Sequence, residues 1–341
     1  MALVGIIANP AASKDIRRLV AQGRVVPDWE KVNIVRRVLL GLEAVGARRV
    51  VAMPDSSHLV ERAREDANIS LDLEVLAMPA MYVEDDTVRA AALMQEMAVD
   101  CLVTLGGDGT NRAVAKGCVS IPVVAISTGT NNVFPAMIEG TLAGMVAGLL
   151  ARGKLDPESN SVVSKTLEVY VDGEYRDMAL VDVALSRERF VATRAIWDIN
   201  TIYQVFLTRA EPAAIGLSAV GARLAPISLA DEGGLYYRLN GPEEMEQDAG
   251  GQIDGGSSVT VLAPIAPGMV PQVDIAAWGP LATGDRVPVE RRRYTVALDG
   301  ERAFSVTEHQ QLEIVLQRNG PPVVQIEAAL RNAAAQGLFT V

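Results

Sequence analysis

The chain reads as an α/β protein with a parallel-sheet N-terminal domain and a mainly β C-terminal domain. Three observations predict this. Short β-branched runs alternate with helical patterns through the first 126 residues; from Val162 the texture changes to strands set off by turn signals; and 341 residues, 49% of them apolar, suffice for two buried cores.

In the first part, strands are expected at Leu3–Ala8, 50–53, 73–77, 101–105 and 122–126, with helices between them. Val35, Val38, Leu39, Leu42 and Val45 share one helical stripe, with Arg36, Arg37 and Glu43 off it. The 88–99 stretch is nearly all apolar, as a deeply buried helix requires. Residues 141–151, rich in Gly and Ala, read as a packed helix, because a membrane span needs about 20 residues. A linker is expected over 156–161.

Beyond it, Thr166–Val171, 178–185, Gly234–Leu239, 258–262 and Tyr294–Leu298 read as strands, with Asp172-Gly173 as a hairpin turn. Helices are expected over 195–207 and 213–224, around the Glu211-Pro212 break. The acidic, glycine-rich 241–256 segment reads as a solvated loop. A helical pattern over 324–335 is expected to pack back on the first domain. The division is therefore 1–135, 136–320, and a returning terminal helix within 321–341.

A net charge of −11 speaks against nucleic acid or an anionic membrane as partner, since both call for a field of Lys and Arg. The N-terminus lacks the basic start and long apolar stretch of a signal peptide, so a cytoplasmic protein is expected. Cys101 and Cys118 read as reduced, packed thiols. The two histidines, His58 and His309, stand outside metal-ligand spacing, so no protein-held metal site is expected. No GxSxG elbow supports a serine hydrolase.

The chemistry concentrates after the 101–105 strand, in Gly106, Gly107, Asp108, Gly109 and Thr110. Glycines let backbone N–H groups approach a phosphate, and the turn sets a lone carboxylate at the carboxyl end of a sheet, where open α/β folds bind ligands. A plain tight turn is the alternative. Two further loops would emerge on the same edge: Asn9-Pro10 with Ala11, Ala12, Ser13 and Lys14, and Ser127 with Thr128, Gly129, Thr130, Asn131 and Asn132. The latter could hold ribose or phosphate, or act only as an N-cap and turn. Asp299, Gly300 and Glu301 read first as a hairpin turn, and Arg291, Arg292 and Arg293 as a solvated strand edge or a phosphate clamp.

These spaced loops resemble those of the NAD kinase and diacylglycerol kinase superfamily: the NP loop, GGDGT at 106–110, TGTNN at 128–132 and LDGER at 298–302. The stretches AIWDIN from Ala195, FLTRAEP from Phe206 and IGLS from Ile215 further resemble the ATP-NAD kinase-like group that includes protein X of acetoin catabolism. The resemblance implies a Rossmann-like domain, a C-terminal β-sandwich and a cleft between them where ATP and a hydroxyl acceptor meet. It implies Asp108 as the base or acceptor-positioning acid. Gly106, Gly107, Gly109, Thr110, Asn9 and Thr128 to Asn132 are implied as nucleotide-binding, with Asp182, Asp299, Gly300 and Glu301 near the acceptor. Val181-Asp182 stands where NAD kinases carry Asn-Glu, and their Thr-Pro-Thr-Gly-Ser-Thr run is absent, which leaves NAD poorly supported as acceptor.

The expected activity is ATP-dependent, Mg²⁺-assisted phosphoryl transfer to a small hydroxyl-bearing molecule or nucleotide, in a homo-oligomer. A nucleotide-binding regulatory protein of the same fold is the alternative. NAD(P)-dependent oxidoreduction is weaker, since no GxGxxG follows the first strand.

Overall fold

The computed structural model describes residues 2–12, 21–23, 25–65, 69–129, 131–188, 198–240 and 258–340. The first sheet has the order β3-β2-β1-β4-β5-β18-β6, built from β1 (Leu3–Ala8), β2 (Arg49–Ala52), β3 (Asp72–Val75), β4 (Cys101–Gly106), β5 (Val123–Ser127), β6 (Ser161–Val163) and β18 (Pro322–Val324). All pairs are parallel except β18 with β6. Every residue of β1 and β4 is buried, because helices cover both faces; that is why these strands read as unbroken apolar runs.

The helices are α1 (Asp28–Ala44), α2 (Leu59–Glu65), α3 (Glu84–Glu96), α4 (Asp108–Gly117), α5 (Gly140–Ala151), α6 (Pro157–Asn160), α7 (Leu217–Ala222) and α8 (Ile326–Ala335). One face of the sheet packs Val4, Ile6 and Val103 against Leu39 of α1, Val146 of α5 and Ala329 of α8. The other packs Ile7 and Leu102 against Met94 of α3 and Val114 of α4. The backbones of α1 and α5 lie so close that a Cβ on Gly144 would sit 2.1 Å from the Val38 carbonyl oxygen. Thus α5, which the sequence reading set beyond the boundary at 135, is part of the first core, and α8 returns to it.

The second half is two antiparallel sheets. One has the order β12-β13-β11-β10-β9-β15-β16, the other β14-β17-β7-β8. Their strands are β7 (Thr166–Val171), β8 (Glu174–Ala179), β9 (Asp182–Ser186), β10 (Ile202–Leu207), β11 (Gly234–Leu239), β12 (Val259–Leu262), β13 (Gln272–Leu281), β14 (Arg286–Pro288), β15 (Tyr294–Leu298), β16 (Glu301–Val306) and β17 (Leu312–Gln317). Leu167, Ile314 and Leu316 of the smaller sheet meet Val183, Phe206 and Val296 of the larger one in a shared core. Both Asp-Gly pairs are hairpin turns with two positive φ angles, 53° and 86° at Asp172-Gly173 and 52° and 75° at Asp299-Gly300.

Several expectations are corrected. The helix expected over 195–207 is, in its described part, a 3₁₀ turn (Ile199–Thr201) followed by strand β10; Ile202, Tyr203, Val205 and Phe206 are bulky residues that a sheet accommodates between β9 and β11. Residues 195–197 lie outside the described residues. The 213–224 helix shortens to α7. The 178–185 run is two strands, bent at Leu180-Val181, and the 156–161 linker contains α6, capped by the Asp156 carboxylate on Ser159 N at 3.0 Å. Segment 241–256 lies outside the described residues. Both cysteines are buried and free, and burial pushes the Cys101 thiol pKa up. Among the described residues no helix is long and apolar enough to cross a membrane.

Candidate functional site

Strands β1, β4 and β5 are neighbours in the sheet, so the loops after Ala8, Gly106 and Ser127 leave from one edge. The side chains knit them together. Asn9 Nδ2 donates to Thr110 Oγ1 at 2.9 Å, while Asn9 Oδ1 accepts from Ala11 N at 2.9 Å. A Cβ on Gly106 would stand 2.5 Å from Thr110 Oγ1, and one on Gly107 would stand 2.9 Å from Asn132 Oδ1. Asn132 Nδ2 in turn donates to Ser127 Oγ at 2.8 Å, and Ser127 Oγ donates to Gly129 O at 2.9 Å. Ser13, Lys14 and Thr130 lie outside the described residues.

Asp108 opens α4, where the helix dipole and the first turn's N–H groups favour an anion. Its carboxylate does not project into solvent. Oδ1 accepts from Val133 N at 3.0 Å and Phe134 N at 2.8 Å, and Oδ2 from Val133 N at 3.1 Å. Burial, helped by the charge of Asp299, pushes its pKa up to about 7, against the pull of those two amides and of Arg209.

Asp299, at the β15–β16 turn, is held similarly. Its Oδ1 accepts from Leu180 N, Val181 N and Asp182 N at 3.0, 2.7 and 3.3 Å. Burial raises its pKa, opposed by Arg112 and these amides. Asp182 Oδ1 accepts from Gly300 N at 3.3 Å. Glu301 reaches across to the first domain, 3.6 Å from where a Cβ on Gly109 would lie. Arg291 and Arg292, by contrast, flank the other end of β15 and bind Gln311 and Glu290, so they are no clamp for this site.

Two family models divide the chain: an ATP-NAD kinase N-terminal domain over residues 4–153 and an acetoin catabolism protein X C-terminal domain over residues 165–319. Acetoin catabolism protein X of Cupriavidus necator is 36% identical over 349 residues, 99% of this chain and 94% of that protein. The chain belongs to the acetoin catabolism protein X family. Two solved structures of a candidate diacylglycerol kinase from Bacillus anthracis str. Sterne share 11% and 12% identity, with TM-scores of 0.45 and 0.44; each alignment covers 95% of this chain and 97% or 98% of theirs.

In this member of the acetoin catabolism protein X family, both matched regions contribute to the lining of one open cavity. Asp108, Asp182 and Asp299 are among its lining residues, together with the apolar Ile199, Ile215 and Ile265. Asn131 also lines it; its Oδ1 and the Thr128 hydroxyl are buried with no hydrogen-bond partner among the described residues. These two buried polar atoms could meet the polar groups of a ligand, whereas the space beside Gly106 and Gly107 is taken by Thr110 and Asn132.

Two residues escaped the sequence reading. Lys31, fully buried in α1, donates to Pro10 O at 2.6 Å and Ala12 O at 2.8 Å and so shapes the first loop. A single lysine in an amphipathic helix carries no signal of this. Arg209 is buried beside the cavity, 5.3 Å over the Phe134 ring. Its only signal was its place within the FLTRAEP stretch.

Proposed function

We propose that the protein is an ATP-dependent kinase that transfers a phosphoryl group to a hydroxyl of a small molecule or nucleotide. The observation carrying this reading is the position of Asp108, which opens the helix behind the glycine loop and also lines the interdomain cavity. Donor phosphates would rest on the 106–110 loop and the N-terminus of α4, with Thr128 and Asn131 to hand for the nucleoside.

The acceptor hydroxyl enters from the cavity, its oxygen bonds to the terminal phosphorus, the bond to the bridging oxygen breaks, and ADP leaves. Asp108 receives the hydroxyl proton, a task suited to a carboxylate with a pKa near 7. Mg²⁺ would supply charge neutralisation on the donor phosphates. Among the described residues no three carboxylates, histidines or cysteines gather around a metal position, so the ion would be held mainly by phosphate and water.

The engagement of Asp108 with two backbone amides favours a second reading, a nucleotide-binding regulator that transfers nothing. Labelled transfer from γ-³²P-ATP with Mg²⁺, screened against polyols, nucleosides, NAD and lipids, separates the two. Transfer that Asp108→Asn abolishes supports the kinase; tight ATP binding without transfer to any acceptor removes it.

A further inference from the structure

Arg209 follows β10 and is 6% exposed, yet its Nε and Nη2 have no hydrogen-bond partner among the described residues. A buried guanidinium with unspent donors is costly, so its surroundings must hold it for a reason. Its backbone is fixed from three sides. The Ser218 hydroxyl, in the cavity wall, donates to its carbonyl at 3.1 Å; the adjoining Thr208 N donates to Val181 O at 2.9 Å; and Ala210 and Ile227 exchange two backbone bonds of 2.8 and 2.9 Å.

From this rigid base the guanidinium lies over Phe134, the residue whose N–H makes the shortest bond to Asp108. Among the described residues no ion pair joins it to Asp108 or Asp299, whose oxygens accept from backbone amides, although the charges of both act on it. We propose that Arg209 is a positioning residue for Asp108: stacked on Phe134, it fixes the two amides that grip the carboxylate and sets a positive charge behind it.

Arg209 is the cation that acts on Asp108 amid several acids. Asp299 and Asp182 line the same cavity, Glu211 lies within the field of Arg209, and Glu301 approaches the neighbouring Gly109. Arg112 is committed to Leu298 O and to the field of Asp299. Without Arg209, only the two amides would oppose burial and the charge of Asp299, and Asp108 would hold its proton beyond its present midpoint of about 7. The inference concerns the ionisation of Asp108 and can be tested whether or not phosphate is transferred; only its catalytic meaning rests on the proposed kinase.

The test is a carboxyl-¹³C NMR titration of aspartate-labelled protein, with Asp108 assigned from the resonance lost in Asp108→Asn. In Arg209→Met the Asp108 midpoint should rise by about one pH unit, a tenfold change in the ionisation ratio, and Arg209→Lys should restore at least half of that. Phe134→Leu, which keeps the charge and removes the platform, should shift the Val133 amide resonance and move the midpoint less. Should Arg209→Met fail to fold, Arg209→Lys and Phe134→Leu carry the test. An unchanged midpoint and unchanged amide resonance in the folded variants overturn the proposal. Absence of transfer to every acceptor, with the midpoint shifting as stated, removes the kinase reading and leaves this one standing.

Discussion

Arg112 Nη1 lies 2.8 Å from the carbonyl oxygen of Leu298, a residue 186 positions away. The helix that begins with Asp108 is thereby tied to the turn that carries Asp299, and the two matched regions of the chain meet at the cavity. Arg112 is 4% exposed, with Glu84 at 3.5 Å as its other partner.

Arg112→Met should therefore destabilise the protein by about 3 kcal/mol, since it strips a buried carbonyl of its donor and a buried acid of its nearest cation. Urea unfolding followed by circular dichroism measures this. A loss within about 0.5 kcal/mol, the range of ordinary surface substitutions, would mean the tie contributes nothing.

Asp108→Asn should leave ATP affinity within about threefold and lower turnover by roughly 10² or more, the minimum expected of a general base. In the native protein the acidic limb of the rate profile should rise through about pH 7, because the carboxylate must be ionised to accept a proton. Isothermal titration and initial rates across pH provide both readouts.

The same group predicts how stability varies with pH. Folded Asp108 keeps its proton up to about pH 7, whereas the unfolded chain releases it near the ordinary value of 3.8, so between these values the folded state binds more protons. Stability from this group falls as pH rises across that window. Asp108→Asn should accordingly melt several degrees above the native protein at pH 8, with the advantage fading towards pH 4. Scanning calorimetry at several pH values decides it; a constant difference would place the origin elsewhere.

Gly106→Ala should weaken ATP binding about tenfold or more, because the new methyl meets Thr110 Oγ1 and breaks its bond to Asn9. Fluorescent-nucleotide titration reads the loss. Native affinity in that variant would take the loop out of the nucleotide site.

Asp299→Ala leaves the amides of Leu180, Val181 and Asp182 without their acceptor and places alanine at a φ of 52°. A cost of about 3 kcal/mol is expected, and Asp299→Asn should recover part of it, since its amide oxygen still accepts and asparagine tolerates the left-handed region. Chemical denaturation of both variants gives the comparison.

Strands β1, β2, β4 and β5 and the loops after them were legible because burial writes a continuous apolar run, and glycine with aspartate marks where β4 ends, whereas β6 and β18, three residues each, were too short to be read. Strand β10 was not. Ile202 to Leu207 is too short for periodicity to tell helix from strand, and its pairing with β9 and β11 decides the matter. Asp299-Gly300 was legible as a turn, but not as a carboxylate that staples the bend at Leu180-Val181.

The sequence by itself determined the fold class, the three loops on one sheet edge, the acidic balance and the candidate acid, all of which depend on residue type and near spacing. Only the tertiary structure decided that the Asp108 carboxylate turns onto the amides of Val133 and Phe134, that Asp182 and Asp299 share its cavity, and that Lys31 and Arg209 stand behind the site. The reason is physical: an ionisable group takes its chemistry from burial and from partners met through space, and here those partners stand as many as 26 and 119 positions away along the chain.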